Sequence, residues 1–169
     1  MNLPQQRERV YIDGLGDIGK GKYKSKSSGV EHNRRKIGNQ GQEIIDKPTY
    51  QKLTRKFIKN GGIIIRGVEA EKHLGNRAYA SYLPGFNAAF IRDDATVSDV
   101  LEEMYHAEQD RTHMYGDVLT DEVRLRREID AQKYLTRVAN KYKIPVEEQE
   151  VTLQNLADYE RQLNELLEV

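Results

Sequence analysis

Cysteine is absent from this chain of 169 residues. That removes disulfides, thiol nucleophiles and Cys-ligated zinc together. Long apolar runs are missing too; none approaches the length of a bilayer span, which argues against an integral membrane protein. The N-terminus lacks the basic-then-apolar pattern of a secretory signal. The expectation is a cytoplasmic protein, or one that a larger parent chain or a dedicated machine carries out of its cell. No internal repeat is visible. Net charge is zero, with 27 basic and 27 acidic side chains, but the two signs are segregated. Residues 1–60 hold 14 Lys/Arg against 6 Asp/Glu, and residues 61–169 hold 13 against 21. A basic arm on an acidic body suits an acidic partner, a nucleic acid, or docking of the arm on its own body.

What is present is a polar chain, 32% charged with a mean hydropathy of −0.80, long enough for one domain with a real core. Residues 1–47 read as a basic, glycine-punctuated arm or linker in which only Val10-Tyr11-Ile12 suggests a strand. From Pro48 the pattern becomes regular, so residues 48–169 are expected to form the folded domain. A helix is predicted from Pro48 to Asn60, with Leu53, Phe57 and Ile58 on its apolar face and Gly61-Gly62 as its stop. Ile63-Ile64-Ile65 reads as a buried strand, and Glu69–Leu74 as one or two helical turns. Ala78–Leu83 and Ala88–Arg92 read as strands joined by Pro84-Gly85. Thr96 or Ser98 caps the next helix, with Asp99 in capping-box position after Thr96, and that helix runs to about Arg111. Two further helices are predicted, Asp121–Tyr142 and Thr152–Leu167. The second carries Leu153, Leu156, Tyr159, Leu163, Leu166 and Leu167 at helical spacing. The order defines an α+β domain: a small antiparallel or mixed sheet, a backing helix and a C-terminal bundle of three helices.

The chemistry concentrates in Glu102-Glu103-Met104-Tyr105-His106, near the middle of a helix entered from a strand. Zinc-peptidase helices of the His-Glu-x-x-His type share this frame, with a ligand, an adjacent general-base Glu and a second ligand one turn on. Here Glu102 stands where the first His would be. Glu102 and His106 are four residues apart, so they share a face about 6 Å apart along the axis, within reach of one ion. Glu103 occupies the place of the catalytic base. Glu128, on the next predicted helix and 22 residues after His106, is the candidate third metal ligand. Asp130 is the group expected to orient His106. His113 is the rival ligand; it lies two turns beyond His106, about 10 Å along a straight helix, so a break would have to bring it back. Two carboxylates leave a divalent ion nearly neutralised. That weakens its acidifying effect on water and moves its preference toward oxygen-loving ions. Zinc is the first expectation for the cofactor, with manganese or iron(II) as alternatives. A chance match, with Glu102 and His106 an exposed ion pair, is the plain alternative.

On these residues the chain resembles zincin-like metallopeptidase domains, in particular the C-terminal toxin modules of bacterial polymorphic toxins. The likeness runs over roughly 48–169. It rests on the Gly-Gly turn and Ile-rich strand, the strands around Ala78-Tyr79-Ala80 and Ala88-Ala89-Phe90-Ile91, the stretch Val100 to Gln109, and Arg127-Glu128-Ile129-Asp130-Ala131-Gln132. The resemblance implies a metal-activated water that hydrolyses a protein or peptide substrate. It also implies that residues 1–47 link the domain to a larger delivery chain, and that an immunity protein is a partner. In zincins the strand before the active helix is an edge strand that pairs with substrate, so Ala88, Phe90 and Arg92 are expected to line the cleft. The Glu at position 102 departs from the pattern and bears on catalytic competence.

Other readings compete. An inactive zincin-like binding module would also lack the first His. A ferritin-like di-iron site uses Glu-x-x-His, but needs a second such motif, and none is present. The Lys-rich arm with Tyr11 and Tyr23 suggests a nucleic-acid module, the less favoured reading because charge runs are more often solvated. Gly14-Leu15-Gly16-Asp17-Ile18-Gly19 matches a dinucleotide fingerprint, but the sequence after it is a poor helix start. His73 and Tyr134, Tyr142 and Tyr159 read as structural.

Overall fold

A computed structural model of the chain describes Val10–Ile12, Gly16–Ile18 and residues 43–168. Val10–Ile12 (β1) and Gly16–Ile18 (β2) pair antiparallel, with Tyr11 opposite Asp17. The expected strand at Val10 is therefore present. The Gly-x-Gly-x-x-Gly frame places Gly16–Ile18 on a strand, not on the helix start that a dinucleotide site needs. The rest of the 1–42 arm lies outside the described residues. The chain divides into two compact units, 1–107 and 108–169.

In the first unit, helix α1 spans Lys47–Lys59. Asp46 caps it, accepting the Thr49 N–H at 2.9 Å and the Thr49 hydroxyl at 2.7 Å, and Pro48 supplies a pre-set first turn. These bonds, the backbone one first, hold the Asp46 carboxyl below its usual range. The helix ends as predicted: Gly61 takes φ +78° and the Gly62 N–H returns to the Phe57 carbonyl at 2.9 Å. Phe57 and Thr54 are buried, but Ile58 is 55% exposed. Its position, 100° around from Phe57, turns it off the apolar face.

Three strands form a mixed sheet in the order β3-β5-β4. Ile63–Ile65 (β3) runs parallel to Ala88–Ile91 (β5), with Ile64 opposite Ala89. Ala80–Leu83 (β4) runs antiparallel to β5, with Tyr82 opposite Ala89. Leu83-Pro84-Gly85-Phe86 turns the hairpin, with the Phe86 N–H on the Leu83 carbonyl and Gly85 at φ +81°. All four β5 residues are buried, which explains an apolar run without alternation. Ala88 and Phe90 face a core with Ile63, Ile65, Ala70 and Leu74, the last two from helix α2, Gly67–Leu74. Ala89 and Ile91 face the other core, with Phe57, Tyr82, Val100 and Ala107. Phe57 and Tyr82 meet edge to face there, 6.1 Å apart.

β5 ends at a buried cation. Arg92 is 2% exposed and pairs with Asp94 through two bonds, 2.9 and 3.2 Å. It also donates to the Gly75 carbonyl at 3.0 Å and lies over the Tyr79 ring. Next comes helix α3, Val97–Arg111, opened by the expected capping box. The Asp99 carboxylate accepts the Thr96 N–H at 2.8 Å, and the Thr96 hydroxyl accepts the Asp99 N–H at 3.2 Å.

The second unit takes the last turn of α3 and two long helices, α4 (Asp121–Tyr142) and α5 (Val146–Leu167). Thr120 caps α4, accepting the Val123 N–H at 3.1 Å. Lys143 ends it in the left-handed region at φ +52°. Three residues then turn the chain, so α4 and α5 form a helical hairpin. Leu125, Ile129 and Leu163 are its buried centre, with Leu156 and Tyr159 packed alongside. Leu153, Leu166 and Leu167 are exposed, contrary to a single apolar stripe. α5 begins six residues earlier than the apolar spacing predicts. Pro145 precedes it, and Glu147 and Glu148 lie in its first turn, where the helix dipole favours them.

Two consequences are testable. A Cβ on Gly62 would lie 2.5 Å from the buried Phe57 ring. Gly62→Ala is expected to lower unfolding free energy by about 1–3 kcal/mol in urea titrations. His73, on α2, stacks on Phe90 with centroids 3.9 Å apart. Desolvation, then the nearby Arg77 charge, lowers its pKa from 6.5. The unfolded state then binds the proton more readily, so this contribution is full above about pH 6.5 and fades as pH falls below it. Thermal melts between pH 7.5 and 5 are expected to show a shallower pH dependence in His73→Phe than in wild type.

Candidate metal centre

Helix α3 presents two kinds of face. Val100, Leu101 and Ala107 are buried apolar positions, while Glu102 and His106, one turn apart, carry polar donors. His106 is only 8% exposed, and Glu102 is half-buried. Glu128 on α4 is half-buried as well. One donor atom each of Glu102, His106 and Glu128 lies within 4.8 Å of the other two. Bonds of about 2.0–2.1 Å to one tetrahedral ion would set such atoms about 3.4 Å apart. Small rotations of two flexible glutamates close that difference. The cluster is a set of oxygen and imidazole donors able to chelate a divalent cation, and the three predicted ligands converge.

Buried polar side chains beside Glu128 went unnoticed in the sequence. Gln109, almost wholly buried, donates its amide to the Arg127 carbonyl at 3.1 Å. Arg127 is buried and faces Asp110 at 3.7 Å. Together they tie the last turn of α3 to the backbone that carries Glu128. The available signal was a Gln three residues after His106, on the same side of the helix.

Three expected roles change. Asp130 does not orient His106; its carboxylate accepts the Tyr115 hydroxyl. Two residues from Glu128 on a helix, it points to nearly the opposite face. It lines a polar cleft of about 330 Å³ with Tyr115, Lys133 and Glu160, away from the Glu128 face. His113 is no ligand in this cluster. It is exposed, sits at φ +49°, and its Nδ1 meets Asp117 at 2.6 Å. The bonds Met114 N–H to Gln109 carbonyl and His113 N–H to Asp110 carbonyl make His113 the left-handed terminator of α3. Ala88, Phe90 and Arg92 do not line an open edge. β5 is the central strand, hydrogen-bonded on both sides, and all three residues are buried. The edge beyond β5 belongs to β4.

Glu103, the expected base, accepts the backbone N–H of Tyr82 in β4 at 2.5 Å. This bond anchors Glu103 on the strand.

No family model matches the chain, and no curated protein or solved structure matches it. Among the described residues, no helix is long and apolar enough to cross a membrane.

The role given to His113 has a direct check. Glycine tolerates the left-handed region that costs a side-chain-bearing residue about 1–2 kcal/mol. His113→Gly is expected to raise the thermal midpoint and to leave metal uptake unchanged.

Proposed function

We propose that the chain holds one divalent cation on Glu102, His106 and Glu128 and hydrolyses a peptide bond, as a zincin-like metallopeptidase acting as a toxin or effector. The observation that carries the metal part is the mutual approach of the three donors to within 4.8 Å. When bound, the ion supplies Lewis acidity and lowers the pKa of water. Glu103, next to Glu102 and anchored on Tyr82, is the carboxylate placed to take a proton from the attacking water. His106 contributes a neutral nitrogen donor, and the two glutamates contribute charge. That donor set nearly neutralises the cation, so manganese and iron(II) compete with zinc more strongly than at a two-histidine site. On this reading residues 1–47 link the domain to a delivery chain, the substrate is a protein or peptide, and an immunity protein is the natural antagonist.

A second reading is a binding module that keeps the metal and has lost hydrolysis. The Tyr82–Glu103 bond favours it, because the bond engages the Glu103 carboxylate with strand β4.

Elemental analysis of purified protein tests the centre. Wild type is expected to retain about one equivalent of zinc, manganese or iron after dialysis, and His106→Ala and Glu128→Gln to retain far less. Equal metal content in wild type and His106→Ala removes the proposal. Casein cleavage by metal-loaded wild type, abolished in Glu103→Gln, separates the peptidase from the binding module.

A further inference from the structure

We infer that Glu103 is a positioning residue for the metal ligands, acting through its bond to strand β4; this rests on the metal centre proposed above. The direction of the Tyr82 N–H follows from the strand register. The Arg92 N–H bonds the Tyr79 carbonyl at 2.9 Å, so Tyr79 and Arg92 form a hydrogen-bonded pair of the antiparallel ladder. Pairs alternate along such a ladder. Tyr82 opposite Ala89 is three residues further and therefore non-hydrogen-bonded, with its N–H turned away from β5. β4 is a sheet edge, so no further strand of this sheet takes that donor. Glu103 takes it instead.

The consequence is mechanical. The Tyr82 side chain is buried against Phe57, so its backbone is a fixed point. Glu103 ties α3 to that point from the position directly after Glu102 and three before His106. A charge-assisted bond to this strand, at its buried Tyr82, sets both the rotation of α3 about its axis and its height along β4. Those two coordinates decide where Glu102 and His106 place their donors. Metal ligands tolerate errors of about 0.2 Å, and groups that orient ligands typically carry 10–100-fold in metal affinity. Around Glu102 and His106, α3 also packs through the apolar contacts of Val100 and Ala107, which resist separation more than sliding.

Two substitutions separate positioning from the other roles open to a glutamate. In Glu103→Gln the amide oxygen still accepts the Tyr82 N–H; in Glu103→Ala nothing does. Titration calorimetry of the full chain with Mn²⁺ and Zn²⁺, at a temperature where circular dichroism shows each variant folded, gives the affinities. Hydrogen exchange of the Tyr82 amide reports the bond itself. The expected result is about tenfold weaker metal binding and at least tenfold faster Tyr82 exchange in Glu103→Ala, with both largely restored in Glu103→Gln. A purely structural role would lower the melting temperature of Glu103→Ala and leave the affinity of the folded protein unchanged; that result overturns the inference. Unchanged Tyr82 exchange in Glu103→Ala overturns it as well. A wild type that binds neither ion refutes the metal centre itself, an outcome distinct from equal affinities in wild type and Glu103→Ala.

Discussion

The buried Arg92–Asp94 pair is the constraint from which the first unit is organised. It sits where β5 stops and the chain turns toward α3. The guanidinium reaches back to the Gly75 carbonyl at the end of α2 and lies over Tyr79 just before β4. One side chain therefore fixes the exit of the central strand against two other elements. Taking both charges out of water is costly, and such a pair adds little net stability over a well-packed apolar substitute. What it adds is geometry. Asp94, two residues on, is held by two bonds. Ala95 is fully buried and its carbonyl accepts the Ile45 N–H at the approach to α1. The capping box at Thr96 and Asp99 follows without slack. The direction of α3 is set before its first apolar residue packs.

That rigidity is spent unevenly along α3. Its N-terminus has a reciprocal cap, while its C-terminus ends on His113 in a conformation that suits glycine. Between them lie Glu102, Glu103 and His106. Two glutamate donors held close together repel one another when no cation lies between them. The anchored N-terminal half, the Glu103–Tyr82 bond and the Gln109–Arg127 bond are the kinds of contact that resist such repulsion. Polar contacts beside a donor cluster are what a ligand site requires to keep its shape.

Much of this was legible in the sequence because it depends on local chemistry. Gly61-Gly62, Pro84-Gly85, the Thr96–Asp99 box and Thr120 are terminators or caps whose behaviour is set by residues within a few positions. The Glu102–His106 pairing follows from helical geometry alone, and the approach of Glu128 follows from adding the next helix. What failed depends on long-range pairing. β5 had to be either edge or centre, and its apolar run, buried on both faces, already pointed to a centre. The edge assignment came from resemblance and overrode that signal. Asp130 failed for a geometric reason available in advance: a residue two positions from a ligand does not share its face. Apolar spacing does not reach the start of α5, because its first turn carries Glu147 and Glu148; at a helix N-terminus acidic residues are favourable. Nothing local announced the Tyr82–Glu103 bond, which joins residues 21 apart.

Two features set this centre apart from a peptidase one. Glu102 in place of a histidine would lower the net positive charge that a bound cation presents to water. The Tyr82 N–H engages the carboxylate of Glu103, the group that would take a proton from that water. Hydrolysis would therefore ask for an acidified water from a weaker Lewis acid and for a base already engaged with β4. The same two features would favour holding an ion: a second carboxylate adds attraction, and an anchored helix reduces the ordering needed on binding. On the proposed reading, retention and reactivity part company. The metal reading stands on the donor geometry, and the peptidase reading requires that peptide binding alter the Glu103–Tyr82 contact.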